Sequence, residues 1–276
     1  MAVQIMGIVN VTPDSFWEPS RASTPDAALT RVREMLAQGA DIIDIGAVST
    51  RPGAAGVSVS EEWARLEPVL SALVREGLAA HSDDGTSDRA ISATTDRPTV
   101  WPRFSIDTTS AEIVRRSHAL IGPFLVNDIS AGEDDQDMLP TVGGLGLPFV
   151  AMHKRGGPLS MDELCSYPQG VVNALMEYFR EFGQKAAQYD IRDWILDPGL
   201  GFAKTPDQCW EILRRLPELC ALGRPLLIGA ADKRFTHSVP EWALEMLRPD
   251  SPIDGTDVAH RLAILGGASI LRVHRL

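Results

Sequence analysis

The chain has 276 residues, with 26 Lys and Arg against 37 Asp and Glu, so its formal charge is −11. A hydrophobic share of 44% supplies material for a large core and excludes general disorder. The acidic balance lacks the basic footprint of a nucleic-acid binder. No apolar run approaches the roughly 18 residues of a membrane span. The N-terminal MAVQIMGIVNVTPDSF meets Pro13 early and has no basic region of the kind a signal peptide carries. Three cysteines, Cys165, Cys209 and Cys220, have neither CxxC nor metal-ligand spacing and read as reduced thiols of a soluble, cytoplasmic protein.

Short β-branched runs alternate with helical patterns along the chain. IMGIVN (5–10) precedes a helical stretch, 24–39, that opens on a Thr cap, a proline and an acidic first turn, and stops at Gly39. DIIDIG (41–46) is followed by a second helix, 60–77, opening on Ser60 and two acids. Residues 79–100 are rich in Ser, Thr and Asp and read as a flexible surface insertion before the third strand. RFSIDT (103–108), PFLVND (123–128), PFVAMH (148–153), WILDPG (194–199), PLLIGA (225–230) and SILRVH (269–274) supply six more strands. Helical spacing marks 109–120, 169–188, 207–222 and 256–267. The runs are too apolar for one-faced alternation, as expected of parallel strands buried on both faces. Eight β-then-α units argue for one (β/α)8 TIM barrel, a single α/β domain over 1–276, rather than a doubly wound sheet. Leu276 closely follows the last strand, so the C-terminus reads as shortened. Either a rearranged 240–267 region or a partner chain would cover that strand.

In such a barrel the C-terminal strand ends form the active-site face. Those ends are Asn10, the Ser49-Thr50-Arg51 loop, Asp107, Asn127, His153, Asp197, Lys233, Arg272 and His274. Each alone also fits a cap or a satisfied loop group; together they argue for a site. Asp107, Asp197 and Asn127 suit the donor-rich edge of an aminopyrimidinone, since carboxylates only accept. Arg51, Lys233, Arg272 and His274 suit a phosphate or diphosphate. Asn10 is a candidate oxygen ligand for magnesium that keeps its waters and the substrate's phosphates.

Over nearly its whole length the chain resembles the dihydropteroate synthase family. MGIVNVTPDSF (6–16), STRPGA (49–54), FSIDTT (104–109), VNDIS (126–130), MHKRG (152–156), ILDPGLGFAK (195–204) and RVH (272–274) carry the resemblance. It implies a barrel enzyme, usually dimeric, that joins 7,8-dihydropterin-6-ylmethyl diphosphate to p-aminobenzoate with Mg2+ and is the target of sulfonamides. It further implies Asn10 as metal ligand and a pterin pocket of Asp107, Asn127, Asp197 and Lys233. Arg272 and His274 would hold the diphosphate, and Thr50, Arg51, Pro52 and Phe202 would build the p-aminobenzoate site. Asp107, Lys233, Arg272 and His274 are the residues closest to the chemistry on this reading.

The chain departs from the family pattern in four places. Ala231-Asp232-Lys233 stands where Ser-Arg-Lys is usual, and Val48 replaces an acid before the Thr50 loop. Glu18 replaces Asp, and Pro19-Ser20 replaces two glycines in the first loop. An active synthase with altered p-aminobenzoate recognition and a paralogue that binds pterin diphosphate without coupling it both remain open on these residues. Other pterin-barrel chemistry, such as methyl transfer, would not need the Thr50-Arg51-Pro52 loop or the RVH anion site.

Overall fold

Strands that bury both faces need neighbours on both edges and helices outside, and the eight apolar runs find both. The computed structural model describes residues 3–11, 24–48, 56–79, 101–157 and 160–276. The strands are β1 (Gln4–Asn10), β2 (Ile42–Gly46), β3 (Phe104–Asp107), β4 (Leu125–Asp128), β5 (Phe149–Met152), β6 (Trp194–Asp197), β7 (Leu227–Ile228) and β8 (Ile270–Val273). They form one parallel sheet in the order β6-β5-β4-β3-β2-β1-β8-β7. A parallel bridge between Leu196 and Leu226 joins the two edges, so the sheet is a nearly closed TIM barrel, as expected. Among the described residues no helix is long and apolar enough to cross a membrane.

The described helices are α1 (Pro25–Ala37), α2 (Val59–Arg75), α3 (Ala111–Ile121), α4 (Met138–Leu145), α5 (Val171–Gln188), α6 (Pro206–Arg214), α7 (Leu216–Cys220), α8 (Glu241–Leu247) and α9 (Gly255–Leu265). Thr24 caps α1 as expected, its side chain accepting from Ala27 N. The cap of α2 is Ser58 rather than Ser60. Ser58 Oγ accepts from Glu61 N at 3.3 Å, which draws Val59 and Ser60 into the first turn and sets Glu61 and Glu62 at the positive end of the helix. The expected 207–222 helix breaks at Arg215 into α6 and α7, because Pro217 has no N–H to continue the ladder.

Helix α4 has no counterpart in the sequence reading, since MLPTVGGL combines a proline with two glycines. Packing explains it: a Cβ on Gly143 would lie 1.8 Å from Tyr189 O, so α4 passes the end of α5 at a distance only glycine allows. The region 240–267 holds two helices, α8 and α9, that pack on each other, with α9 also against α6. The residue after β8 is tied to α1, where Arg31 Nη2 donates to His274 O at 2.7 Å. Of the expected 79–100 insertion, residues 80–100 lie outside the described residues.

The core has two parts. Met6, Ile42, Trp101, Leu125, Val150, Ile195, Leu227 and Ile270 fill the barrel's interior. Val9, Ile43, Ile106, Phe149, Leu196 and their neighbours fill the shell between sheet and helices. Alternate residues of a strand face opposite sides. Stepping by two from the interior set therefore reaches Asn10, Asp44 and Gly46, Asp107, Asn127, Met152, Asp197, Arg272 and His274. The inner side turns from apolar to polar toward the C-terminal ends.

Gly143→Ala should cost about 1–3 kcal/mol of stability through overpacking. Gly144→Ala, whose added methyl meets open space, should be neutral or stabilising by up to about 1 kcal/mol. Urea unfolding of the two variants checks the contrast.

Candidate active site at the C-terminal mouth of the barrel

Sheet register places the polar residues in one row. Asn10 pairs with Gly46, Gly46 with Asp107, and Asp107 with Asn127. Gly46 is the gap in that row: a Cβ there would lie 3.3 Å from Asp107 Cβ. One inward step below it sits Asp44, fully buried.

Asp44 is the residue the sequence reading missed. Its Oδ2 accepts from Arg272 Nε at 2.7 Å and from Asn127 Nδ2 at 3.1 Å, and lies 2.6 Å from Arg272 Nη2. The same Nη2 donates to Asp107 Oδ2 at 2.7 Å. One guanidinium thus bridges two carboxylates on β2 and β3 from its place on β8. Burial works against the charge of Arg272, but Asp44 and Asp107 outweigh it and hold the guanidinium above its ordinary value. Burial pushes the Asp107 carboxyl up to about 7; Arg272 pulls it back, while Asp44, Glu62 and Asp128 push it further up.

A second cluster occupies the other flank. Asp197 Oδ1 accepts from Gly199 N at 2.7 Å. Burial raises the Asp197 carboxyl and lowers the Lys233 amine, and each is the main charge opposing the other's shift. Lys233 Nζ donates to Leu200 O and lies 4.9 Å from the centre of the Phe202 ring. Phe202 therefore sits beside Lys233, on the loop that follows β6.

Asp107, Asn127, Asp197, Arg272 and Asn10 share the inner side, and His274 follows β8 in the same phase. His153 does not join them. It is one residue out of phase with the inward-facing Met152, is buried, and meets Lys204 Nζ at 2.9 Å through Nδ1. Its ring packs edge-on to Tyr178. Thr50, Arg51 and Pro52 lie outside the described residues, as do Glu18, Pro19 and Ser20. Asp232 is solvent-exposed in a left-handed conformation, φ 55°, which aspartate tolerates better than most side chains.

The sequence profile of pterin binding enzymes matches residues 6–86 and 88–274. The chain belongs to that family. Among the pterin binding enzymes it is 37% identical over 272 residues to the dihydropteroate synthase of Synechocystis, covering 98% of this chain and 84% of that relative. Its fold is similar to that of the Yersinia pestis dihydropteroate synthase solved with a sulfonamide drug. The TM-score is 0.77 at 32% identity, over 99% of this chain and 88% of the other. The Xanthomonas albilineans dihydropteroate synthase solved with 4-aminobenzoic acid gives a TM-score of 0.74 at 34% identity, over 99% and 87%.

For this pterin binding enzyme, Asp44→Ala should cost about 3–5 kcal/mol, because it leaves Arg272 buried with half its counter-charge. The double variant Asp44→Ala/Arg272→Met should recover part of that loss. Urea unfolding of the singles and the double checks the coupling.

Proposed function

We propose that this chain is a dihydropteroate synthase, joining 7,8-dihydropterin-6-ylmethyl diphosphate to p-aminobenzoate and releasing pyrophosphate. The observation that carries the reading is the inner row of Asp107, Asn127 and Asp197 set between the cations Arg272 and Lys233. A flat ring rich in N–H donors fits between those acceptors, and an anion attached to it fits the cations.

On this reading Asp107 and Asp197 accept from the amino and ring N–H groups of the pterin, and Asn127 supplies both an acceptor and a donor. Lys233 exchanges Leu200 O for the pterin's carbonyl and ring nitrogen. Arg272 gives up Asp107 as that carboxylate turns to the pterin, and the freed donor meets the diphosphate beside His274. Asp44 keeps the guanidinium in place throughout. The carbon–oxygen bond to the diphosphate breaks first, with the electron pair leaving on the oxygen. The amine of p-aminobenzoate then attacks the pterin-stabilised cation and gives up a proton. The protein's part is positioning and charge stabilisation, with no side-chain nucleophile.

Magnesium belongs to the same reading. Among the described residues no group of three or more His, Cys, Asp or Glu side chains gathers as a metal cage. Asn10, half-buried at the end of β1, offers one amide oxygen. A single protein oxygen fits an ion held mainly by waters and the substrate's diphosphate, whose charge it would neutralise.

The second substrate lies against Phe202, with Thr50, Arg51 and Pro52 completing its site; sulfonamides compete there. Asp232 is turned to solvent, which supports the active synthase over the uncoupled paralogue. A homodimer is supported by Leu244 and Met246 of α8 and Ile264 and Leu265 of α9, all exposed on two helices in contact. Three free thiols suit a reducing cytoplasm.

Purified protein with Mg2+ and both substrates should release pyrophosphate and form dihydropteroate in equal amounts. Pyrophosphate without dihydropteroate, or neither, overturns the reading. A pterin that donates to Asp107 binds its ionised form, so affinity should rise with pH from about 6 to about 8. In Asp107→Asn that rise should disappear. Calorimetric titration with the free pterin across this range measures both.

A further inference from the structure

The loop that carries Phe202 is fastened from behind by a residue that the proposed chemistry leaves unused. Lys204 is 7% exposed. Its Nζ donates to Phe202 O at 2.9 Å and to His153 O at 3.3 Å, and meets His153 Nδ1 at 2.9 Å. Three acceptors match the three protons of an ammonium group. Burial, with Lys204 and Arg155 nearby, pushes the His153 imidazole down to about 2. The ring is therefore neutral, and in the tautomer that carries its proton on Nε2 the Nδ1 atom accepts from the ammonium.

Further ties converge on residues 199–203. Tyr167 Oη donates to Ala203 O at 3.0 Å, and Gly201 N donates to Cys209 Sγ at 3.3 Å. Gly199, at φ +65°, passes so close to His153 that a Cβ would lie 2.1 Å from His153 O. The loop after β6 is thus seated on the residue that ends the β5 run, and Lys204 is the pin through both. A buried cation is costly, so an aliphatic side chain would serve better if packing were its only task.

We infer that Lys204 is a positioning residue for the second substrate: its ammonium clamps the 199–203 loop to His153 and thereby sets Phe202 against the aromatic amine. The proposal rests on the synthase reading for its substrate. Asp197, in contrast, belongs to β6 itself, whose carbonyl receives His153 N at 3.0 Å, so the pterin contact depends on the clamp only through Gly199 N, which donates to Asp197 Oδ1, and Leu200 O, which accepts from Lys233. The charged and titratable groups facing the amine are His153 and Arg155 after β5, Asp197 on β6, Cys209 on α6 and Lys233 after β7. Burial pushes the amine down to about 7, while Cys209 and Asp197 favour its protonated form and Lys233 and Arg155 oppose it.

The test compares Lys204→Met and Lys204→Arg with the parent protein. Lys204→Met should raise KM for p-aminobenzoate about tenfold or more, the scale of lost hydrogen bonds to a charged group. KM for the pterin diphosphate should rise several-fold less than that for p-aminobenzoate, and Lys204→Arg, which keeps the charge and donors, should lose less than Lys204→Met. A second readout needs no turnover: amide exchange in peptides covering 198–204 should speed up in Lys204→Met while strand peptides of β1–β4 stay unchanged. Equal rises in both KM values, a fall in kcat alone, or unchanged exchange in 198–204 overturns the clamp. Should Lys204→Met fail to fold, Lys204→Gln, which removes the charge and ends one bond short of the Nζ position, carries the same comparison. A parent protein that makes no dihydropteroate defeats the synthase reading, and the exchange measurement then still decides the clamp.

Discussion

The Oδ2 atom of Asp44 accepts hydrogen bonds from Arg272 and from Asn127, and so joins β2 to β8 on one side and to β4 on the other. Arg272 passes the connection on to Asp107 of β3. Four strands that are adjacent or nearly so in the barrel are linked across its interior by charge rather than by packing. Buried ion pairs are worth keeping only where their geometry is fixed, and here the hydrogen bonds of the Asp44 carboxylate converge on Oδ2. This one sits where the apolar interior gives way to the polar mouth. It gives the mouth a floor that binding can rearrange from above, since Asp107 and Arg272 both reach open positions while Asp44 does not.

The two halves of the site are supported differently. The row Asn10, Gly46, Asp107 and Asn127 lies on consecutive strands with continuous ladders. Lys233 and Phe202 stand on loops beside β7, which has two residues and, among the described residues, is linked to β6 by the isolated Leu196–Leu226 bridge rather than by a ladder. Where the ladder is thin, side-chain ties take over, namely Lys233 to Leu200 O and Lys204 to Phe202 O. On the proposed function, the ring would meet the rigid frame and the aromatic amine the more loosely laddered flank.

Much of the barrel was legible in the sequence because all eight strands are apolar runs bounded by polar residues or glycine, and a strand buried on both faces needs no finer signal. The missed α4 shows the opposite case: Gly143 weakens any local helical signal, and only its approach to Tyr189 O explains the residue. Among site residues, those at strand ends were found by position. Asp44 was not, since it lies within IIDIG and looked like part of a strand. A signal was there: a lone acid between Ile43 and Ile45 in a buried strand must meet a cation or donors. His153 was assigned to the mouth because it ends its run. Counting by two from Val150 would have turned it outward, to Lys204.

The seam between β6 and β7 also bears on how this sequence can change over time. Ala231 and Asp232 sit just beyond the short strand, outside the ladder, with Asp232 in solvent. Replacements there leave the charge-linked floor untouched, so the surface beyond β7 can drift while the polar frame stays fixed. A barrel that is firmly laced on one flank and loosely on the other separates what selection may adjust from what it must preserve.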